Sequence, residues 1–269
     1  MKKTFAFLIV SMMLLSLVGC TKTLTTSTTP STSVPATMTT TESAENLQVP
    51  SVADWVVQHK DSTDPTDIAL VKYEQTKDAY DNEHLSEVEV RSDWGLNDGG
   101  AFSILTDLGV AGLPGLVREL NDVNSPMVVP VIFAIEAICK TDISFCDTFS
   151  PVEVTTWKNA LNDQSNNAKN IVANVVATLK NNPSVSDEEI NNQLANAGIF
   201  ALPFALPYFY SEVINNSNVS LLKYADQIMP DELLKEFNIG NGSQDSAAYM
   251  KALEGSTSDI NIIENLKAN

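Results

Sequence analysis

Cysteine and histidine are the side chains of this chain best suited to nucleophilic or metal chemistry, and only five are present: Cys20, Cys139, Cys146, His59 and His84. The sequence has no His-Glu-x-x-His zinc helix, no Gly-x-Ser-x-Gly nucleophile turn, no phosphate-binding glycine loop and no Cys-x-x-Cys pair. A cysteine nucleophile would have to pair Cys139 or Cys146 with one of the two histidines. The pattern therefore predicts a protein that is not an enzyme and holds no metal or cofactor.

Cys20 stands at the end of an apolar N-terminal run. The run follows Met1-Lys2-Lys3 and ends in Leu17-Val18-Gly19-Cys20. It is shorter than the ~20 apolar residues that cross a bilayer. A positively charged start followed by a short apolar stretch is typical of an export signal. The small Gly19 leaves the bond before Cys20 accessible to a peptidase.

This ending resembles the lipobox of bacterial lipoproteins, in which the cysteine receives diacylglycerol and then becomes the first residue. The resemblance implies that residues 1–19 are a lipoprotein signal peptide and that Cys20 carries the lipid, with palmitate among its acyl chains. It also implies a lipid anchor in the bacterial cell membrane, with the protein on the extracytoplasmic side. Two or more acyl chains hold firmly, whereas one is marginal. An ordinary signal peptide or a single anchor helix is the alternative.

Threonine, serine and proline dominate the stretch after Cys20. Such a composition cannot bury a core and stays extended and solvated. We therefore predict that residues 20–48 form the lipidated cysteine and a disordered tether. Residues 49–269 are then the folded domain.

The chain is strongly acidic, with a formal net charge of −18. Removal of residues 1–19 takes Lys2 and Lys3 but no acidic residue, and moves this charge to −20. A surface of this sign repels phosphate backbones and anionic headgroups. The charge argues against nucleic acid as a partner and leaves the lipid on Cys20 to hold the protein at the membrane.

Cys139 and Cys146 are an even pair in a chain predicted to be exported. A disulfide between them would join the end of an apolar helix to the loop before Ser150. It would stabilise the fold by about 2–3 kcal/mol. Two buried thiols are the alternative. Catalytic redox use would need tighter spacing.

Carboxylates recur at Asp61, Asp64 and Asp67, and oxygen-rich series of this kind can bind calcium. The segment Asp93–Gly99 is similar to a calcium loop but lacks its ordering, because a glycine stands where the second ligand belongs and no glutamate closes the loop. Solvated turns are the simpler interpretation of both segments. No metal site is predicted.

Helical periodicity and capping residues dominate the region after residue 49. Asp64-Pro65 and Ser150-Pro151 each place a capping side chain before a proline at the first helical position, and Glu153 completes a capping box. Ser186 opens another helix, and Ser258–Lys267 has apolar residues at helical spacing. We predict an all-α fold in which the short helices of the tail, from Asp231 to Asn269, cap the stack of helices.

An internal resemblance links residues 105–120 to residues 194–209. Gly109 matches Gly198, and Leu113-Pro114 matches Leu202-Pro203. Each copy resembles the HEAT-like repeat, an antiparallel helix pair with Leu-Gly and Leu-Pro landmarks. The resemblance implies stacked helical hairpins of an α-solenoid, each of which buries its apolar face on a neighbour. An irregular helical bundle that contains two similar hairpins is the alternative.

The second copy is unusually aromatic. Phe200, Phe204 and Tyr208 recur every four residues, and Tyr210 follows. Core packing explains such a pattern. In a stacked fold, one side of this segment could also lie open, with Phe204, Tyr208 and Tyr210 as anchors for a peptide or a partner helix.

These features predict a membrane-anchored extracytoplasmic lipoprotein that acts as a non-catalytic protein-binding or scaffold module, with an envelope protein as its partner. The first alternative is a solute-capturing lipoprotein that feeds a transporter, although the strand and helix alternation of the usual binding-protein lobes is missing. A cell-wall enzyme is the third hypothesis, and paired carboxylates in an acidic groove would be its signature.

Overall fold

Helices and tight loops make up nearly all of the computed structural model, which describes residues 50–83, 100–143, 149–182, 184–209, 212–214, 217–236, 251 and 255–268. The main α-helices are α1 (Val52–His59), α2 (Pro65–Glu83), α3 (Ser103–Thr106), α4 (Gly109–Glu119), α5 (Val128–Cys139), α6 (Pro151–Asn181), α7 (Asp187–Ala195), α8 (Leu202–Ala205), α9 (Asp231–Glu236) and α10 (Thr257–Asn265). The 3₁₀ helices in the same residues span Gly198–Ala201, Leu206–Tyr208 and Leu222–Gln227. The all-α prediction is confirmed.

A small antiparallel hairpin interrupts the helices. Its strands are β1 (Glu212–Ile214) and β2 (Ser217–Val219), with Val213 opposite Asn218. The all-α prediction did not include this hairpin. Three residues per strand carry too little periodicity to be recognised before the tertiary structure is known.

Capping side chains start the helices where the sequence predicts. The Ser150 N–H donates to Glu153 Oε2 at 2.7 Å, and the Glu153 N–H donates to Ser150 Oγ, which completes the capping box of the 31-residue helix α6. Asp64 and Ser186 accept from backbone N–H groups two and three residues further on. These bonds satisfy donors that a helix start leaves without an internal partner.

The two similar segments bury equivalent positions. In each copy the leading leucine, the residue after the glycine, the leucine before the proline and two later apolar residues are buried: Leu105, Val110, Leu113, Leu116 and Leu120 in the first, and Leu194, Ile199, Leu202, Ala205 and Phe209 in the second. Both glycines have left-handed backbones, with φ of +57° at Gly109 and +53° at Gly198. The copies therefore share a turn and a buried face.

The copies differ after the glycine. The first continues as one helix, α4, whereas the second alternates between 3₁₀ and α geometry through Gly198–Ala201, α8 and Leu206–Tyr208. Pro114, the counterpart of Pro203, lies within the continuous helix α4, so a proline at this position alone does not break the helix. Pro207 has no proline counterpart in the first copy and removes a second backbone donor four residues after Pro203, where the second copy changes to 3₁₀ geometry. The stacking of hairpins into a solenoid stays a prediction.

The core lies where both copies meet the helices between them. Helix α4 packs on α5, and α6 packs on α7, on α8 and on the 3₁₀ helix Gly198–Ala201. Helix α10 contacts α4 from the first copy and α8 from the second. All of these elements belong to one compact unit, residues 47–269.

The predicted signal peptide, Cys20 and all of the predicted tether fall in residues 1–49, which lie outside the described residues. Within the described part of the chain, none of the helices combines the length and the apolar character needed to cross a membrane.

Candidate functional site

The aromatic segment of the second copy faces both the core and the surface. Phe200 and Phe209 are buried, whereas Phe204 and Tyr208 are half-buried. Pro203 at the start of α8 and the 3₁₀ turns on either side set this division, because they change the helical phase between successive aromatic rings. Tyr210, the third predicted anchor, lies outside the described residues.

Phe204 lines a surface cavity of about 350 Å³ between α6, α8 and α10. Phe200, Pro203 and Ile263 supply further apolar surface. The remaining lining comes from polar and charged residues of α6 and of the C-terminal segment: Ser165, Asn166, Lys169, Glu264 and Lys267. The lining is thus mixed, with four apolar and five polar or charged residues, and it offers both apolar and hydrogen-bonding contacts to a ligand or partner.

We call residues 257–268, which comprise α10 and the three residues after it, the C-terminal strap. Ile263 and Leu266 are its buried anchors, and they pack against the core. The backbone turns extended at Leu266, with φ −65° and ψ 119°. The Ala268 N–H then donates to Asn162 Oδ1 at 2.9 Å, which fixes the end of the strap on α6.

The strap occupies a groove between the two copies, which we call the strap groove; its walls are α4, α6, α8 and Gly198–Ala201. Pro114 of the first copy and Pro203 of the second are equivalent positions, and each lines a cavity beside the strap. The cavity at Pro114 measures about 360 Å³. Another, of about 220 Å³, lies between Ala268 and α6. The strap therefore leaves space along the groove unfilled.

A charged cluster surrounds Arg118, which is half-exposed at the end of α4. Its guanidinium lies 3.0 Å from Asp64, 3.8 Å from Asp67 and 3.5 Å from Glu119. The hydrogen bond from Arg118 lowers the pKa of Asp64. Burial, helped by the charge of Asp67, raises the pKa of Glu119 against the attraction of Arg118. Two of the three carboxylates that suggested calcium binding, Asp64 and Asp67, are thus paired with an arginine.

Arg118→Ala is expected to lower the free energy of unfolding at neutral pH by less than about 1 kcal/mol, because the ion pairs are largely exposed. The lowered pKa of Asp64 means that this stabilisation is present at neutral pH and disappears as the pH falls through that pKa. Urea unfolding of both chains at about pH 7 and at a series of lower pH values should show a difference that shrinks as the pH falls. Arg118→Lys, which keeps the charge, should have a stability between those of the wild type and Arg118→Ala. A difference that stays constant down the pH series would contradict the pairing.

Cys139 is fully buried at the end of α5 with a free thiol. Burial, together with the charges of Glu136 and Glu232, raises the pKa of this thiol, which disfavours the nucleophilic thiolate. Its predicted disulfide partner, Cys146, lies outside the described residues, so the disulfide stays a prediction.

The two histidines do not meet a cysteine in the described structure. His59 stacks on Trp55 with ring centroids 4.0 Å apart, and its Nδ1 lies 2.8 Å from the Trp55 carbonyl oxygen. His84 lies outside the described residues. Among the residues that the structure describes, no group of three or more histidine, cysteine, aspartate or glutamate side chains is arranged to hold a metal ion.

The sequence predicts Phe204 as an anchor and Ser258–Lys267 as a helix, but it does not indicate that the two line one cavity. The asparagines of α6 that meet the strap, Asn162 and Asn166, read as an ordinary solvated helix face. Their spacing of four residues is the only signal in the sequence, and it acquires meaning when the strap lies beside them. No protein-family model, curated protein or solved structure matches this chain.

Proposed function

We propose that this protein is a membrane-anchored extracytoplasmic lipoprotein, held by lipid on Cys20, that acts as a non-catalytic binding module for an envelope protein. The observation that carries the binding role is Phe204, a half-buried aromatic ring that lines an open cavity of about 350 Å³. Aromatic rings that are partly buried beside a polar rim are typical anchors of protein interfaces. The anchor is inferred from the lipobox resemblance and the tether from composition.

The partner is expected to insert an apolar side chain over Phe204 and to contact the polar rim on α6. Asn166 and Lys169 lie on that rim at the spacing of one helical turn. They offer an amide and a positive charge in a chain that is otherwise strongly acidic. Tyr208, half-buried in the next turn, would extend the contact.

Crosslinking on intact cells, followed by mass spectrometry, tests this proposal. We expect one reproducible protein partner, and a severalfold lower yield in the Phe204→Ala chain. The control is Val152→Ala, which shortens an exposed apolar side chain away from the cavity. Val152 lies on α6, roughly 20 Å along the helix from Ser165, which lines the cavity. Circular dichroism should first show that both variants fold. Equal loss in both variants, or no loss in either, would contradict the assignment of Phe204.

The same preparation tests the anchor. The N-terminal peptide of the purified protein is expected to begin at Cys20 and to carry the mass of diacylglycerol on sulfur. An N-terminal peptide that begins elsewhere, or one with an unmodified Cys20, would contradict lipid anchoring without affecting the binding role.

Capture of a small solute for a transporter is the second candidate. The cavity of about 350 Å³ at Phe204 falls at the lower end of the range for small-ligand sites, roughly 300–1,000 Å³. A crosslinking experiment that yields no protein partner, together with a small molecule that copurifies with the wild-type chain and is lost from Phe204→Ala, would favour this function.

A further inference from the structure

The C-terminal strap resembles a bound ligand more than a core helix. Only Ile263, Leu266 and Ala268 of its last turn and tail are fully buried, together with the preceding Ser256. Helix α10 has only nine residues. A helix this short is marginal by itself in water, so its helical form depends on the groove.

The flanks of the strap are incompletely packed. Successive residues of an α-helix point about 100° apart, so Ile262 and Glu264 project from opposite flanks of α10. Ile262 lines the cavity of about 360 Å³ at Pro114, and Glu264 lines the cavity of about 350 Å³ at Pro203. Both cavities are open to solvent. A helix with larger apolar side chains on these flanks would displace water from them and bury more apolar surface than the strap does.

Two polar contacts hold the end of the strap on α6, one from the backbone N–H of Ala268 and one from the side chain of Lys267. Asn162 accepts from a backbone N–H, that of Ala268. Asn166 accepts from Lys267 Nζ at 3.3 Å, and a lysine or another hydrogen-bond donor of a different peptide could make the same bond. Ile263 in the last turn of α10 and Leu266 directly after it are aliphatic anchors three residues apart. This spacing is similar to that of the anchors in the helix-in-groove mode of peptide binding.

We propose that the strap groove is the recognition site for an amphipathic helix of the partner protein, and that the C-terminal strap is an internal occupant which this helix displaces. The inference rests on the proposed binding function and specifies its partner. The partner helix carries aliphatic side chains at the positions of Ile263 and Leu266, and bulkier apolar side chains on at least one flank. The strap thereby keeps the groove closed until such a helix arrives.

A peptide-exchange experiment on the full-length protein tests the groove. The probe is a fluorescent peptide with the sequence of residues 256–268, and its binding is measured by anisotropy. Ile263→Asp places a charge in the buried seat and is expected to release the strap. This variant should bind the probe at least tenfold more tightly than the wild type, because the tethered strap no longer competes. Ser258→Asp introduces the same charge at an exposed position of α10 and should behave like the wild type.

The outcomes separate the groove from the wider function. Equal probe binding by all three chains, or no binding to an Ile263→Asp chain that keeps wild-type circular dichroism, would overturn the proposal. Should Ile263→Asp lose its helical signal, Ile263→Ala gives the same comparison with a smaller gain. In intact cells, Ile263→Asp should raise the yield of the crosslinked partner. An unchanged or lower yield would refute displacement. If the partner were still lost from Phe204→Ala in that case, the binding function would stand at the Phe204 cavity with the strap in place.

Discussion

Gly198→Ala is expected to lower the free energy of unfolding by about 3 kcal/mol or more. Gly198 has φ of +53°, and a left-handed backbone costs other residues roughly 1–2 kcal/mol. An added Cβ would also collide with the carbonyl oxygen of Cys139 and lie 2.9 Å from that of Lys140. Both oxygens belong to the backbone at the end of α5, so relief requires movement of that helix end. Urea unfolding followed by circular dichroism measures the loss.

Gly109→Ala is the matched control, because Gly109 is the equivalent residue of the first copy with φ of +57°. There the added Cβ would lie 2.7 Å from Glu232 Oε1, the end of a flexible side chain that can move. The cost should be about 1–2 kcal/mol for backbone strain. In the wild type the Val110 N–H donates to Glu232 Oε1 at 2.7 Å. Movement of Glu232 in the variant would weaken this hydrogen bond and add to the cost of the strain. Similar losses in the two variants would show that the contact with α5 is not the cause.

Glu136→Ala is expected to destabilise the protein by about 3 kcal/mol, since it removes a buried acceptor shared by two donors. Trp157 Nε1–H donates to Glu136 Oε1 at 2.7 Å, and the Ile143 N–H donates to the same atom at 3.2 Å. Trp157 is fully buried, so its indole N–H would lose this carboxylate deep in the core. Thermal and urea unfolding should both show the loss.

Glu136→Gln is the comparison that isolates the hydrogen bonds. The amide oxygen can still accept from Trp157, although without the charge that strengthens the bond, so the cost should fall to about 1 kcal/mol. If Glu136→Ala and Glu136→Gln cost the same, loss of the carboxylate charge, and not of the acceptor, would be responsible.

The pair formed by Glu136 and Trp157 also bears on the candidate site. It joins α5 to α6, and α6 presents Asn162 and Asn166 to the C-terminal strap on the following turns. Glu136→Ala is therefore a poor probe of binding, because it alters the support of the groove. Phe204→Ala and Ile263→Asp act at the groove itself and report on it more directly.

Local signals in the sequence determined the helical class, the main helix starts and the shared face of the two copies. The capping box of Ser150 and Glu153 joins residues three apart, so the information lies within one helical turn. The burial pattern of residues 105–120 and 194–209 follows helical periodicity in the same way. The role of Phe204 as a partner anchor stays a prediction.

Only the tertiary structure decided which distant residues meet. Glu232 caps the start of α4 across 122 positions, Asn162 holds the strap across 106, and Arg118 binds Asp64 across 54. None of these pairs has a local pattern, because a carboxylate or an amide on a helix surface reads as solvated until another element is packed against it. The strap was predictable as an amphipathic helix, but its seat between the two copies was not. Periodicity states that a face is buried, whereas packing alone decides against what.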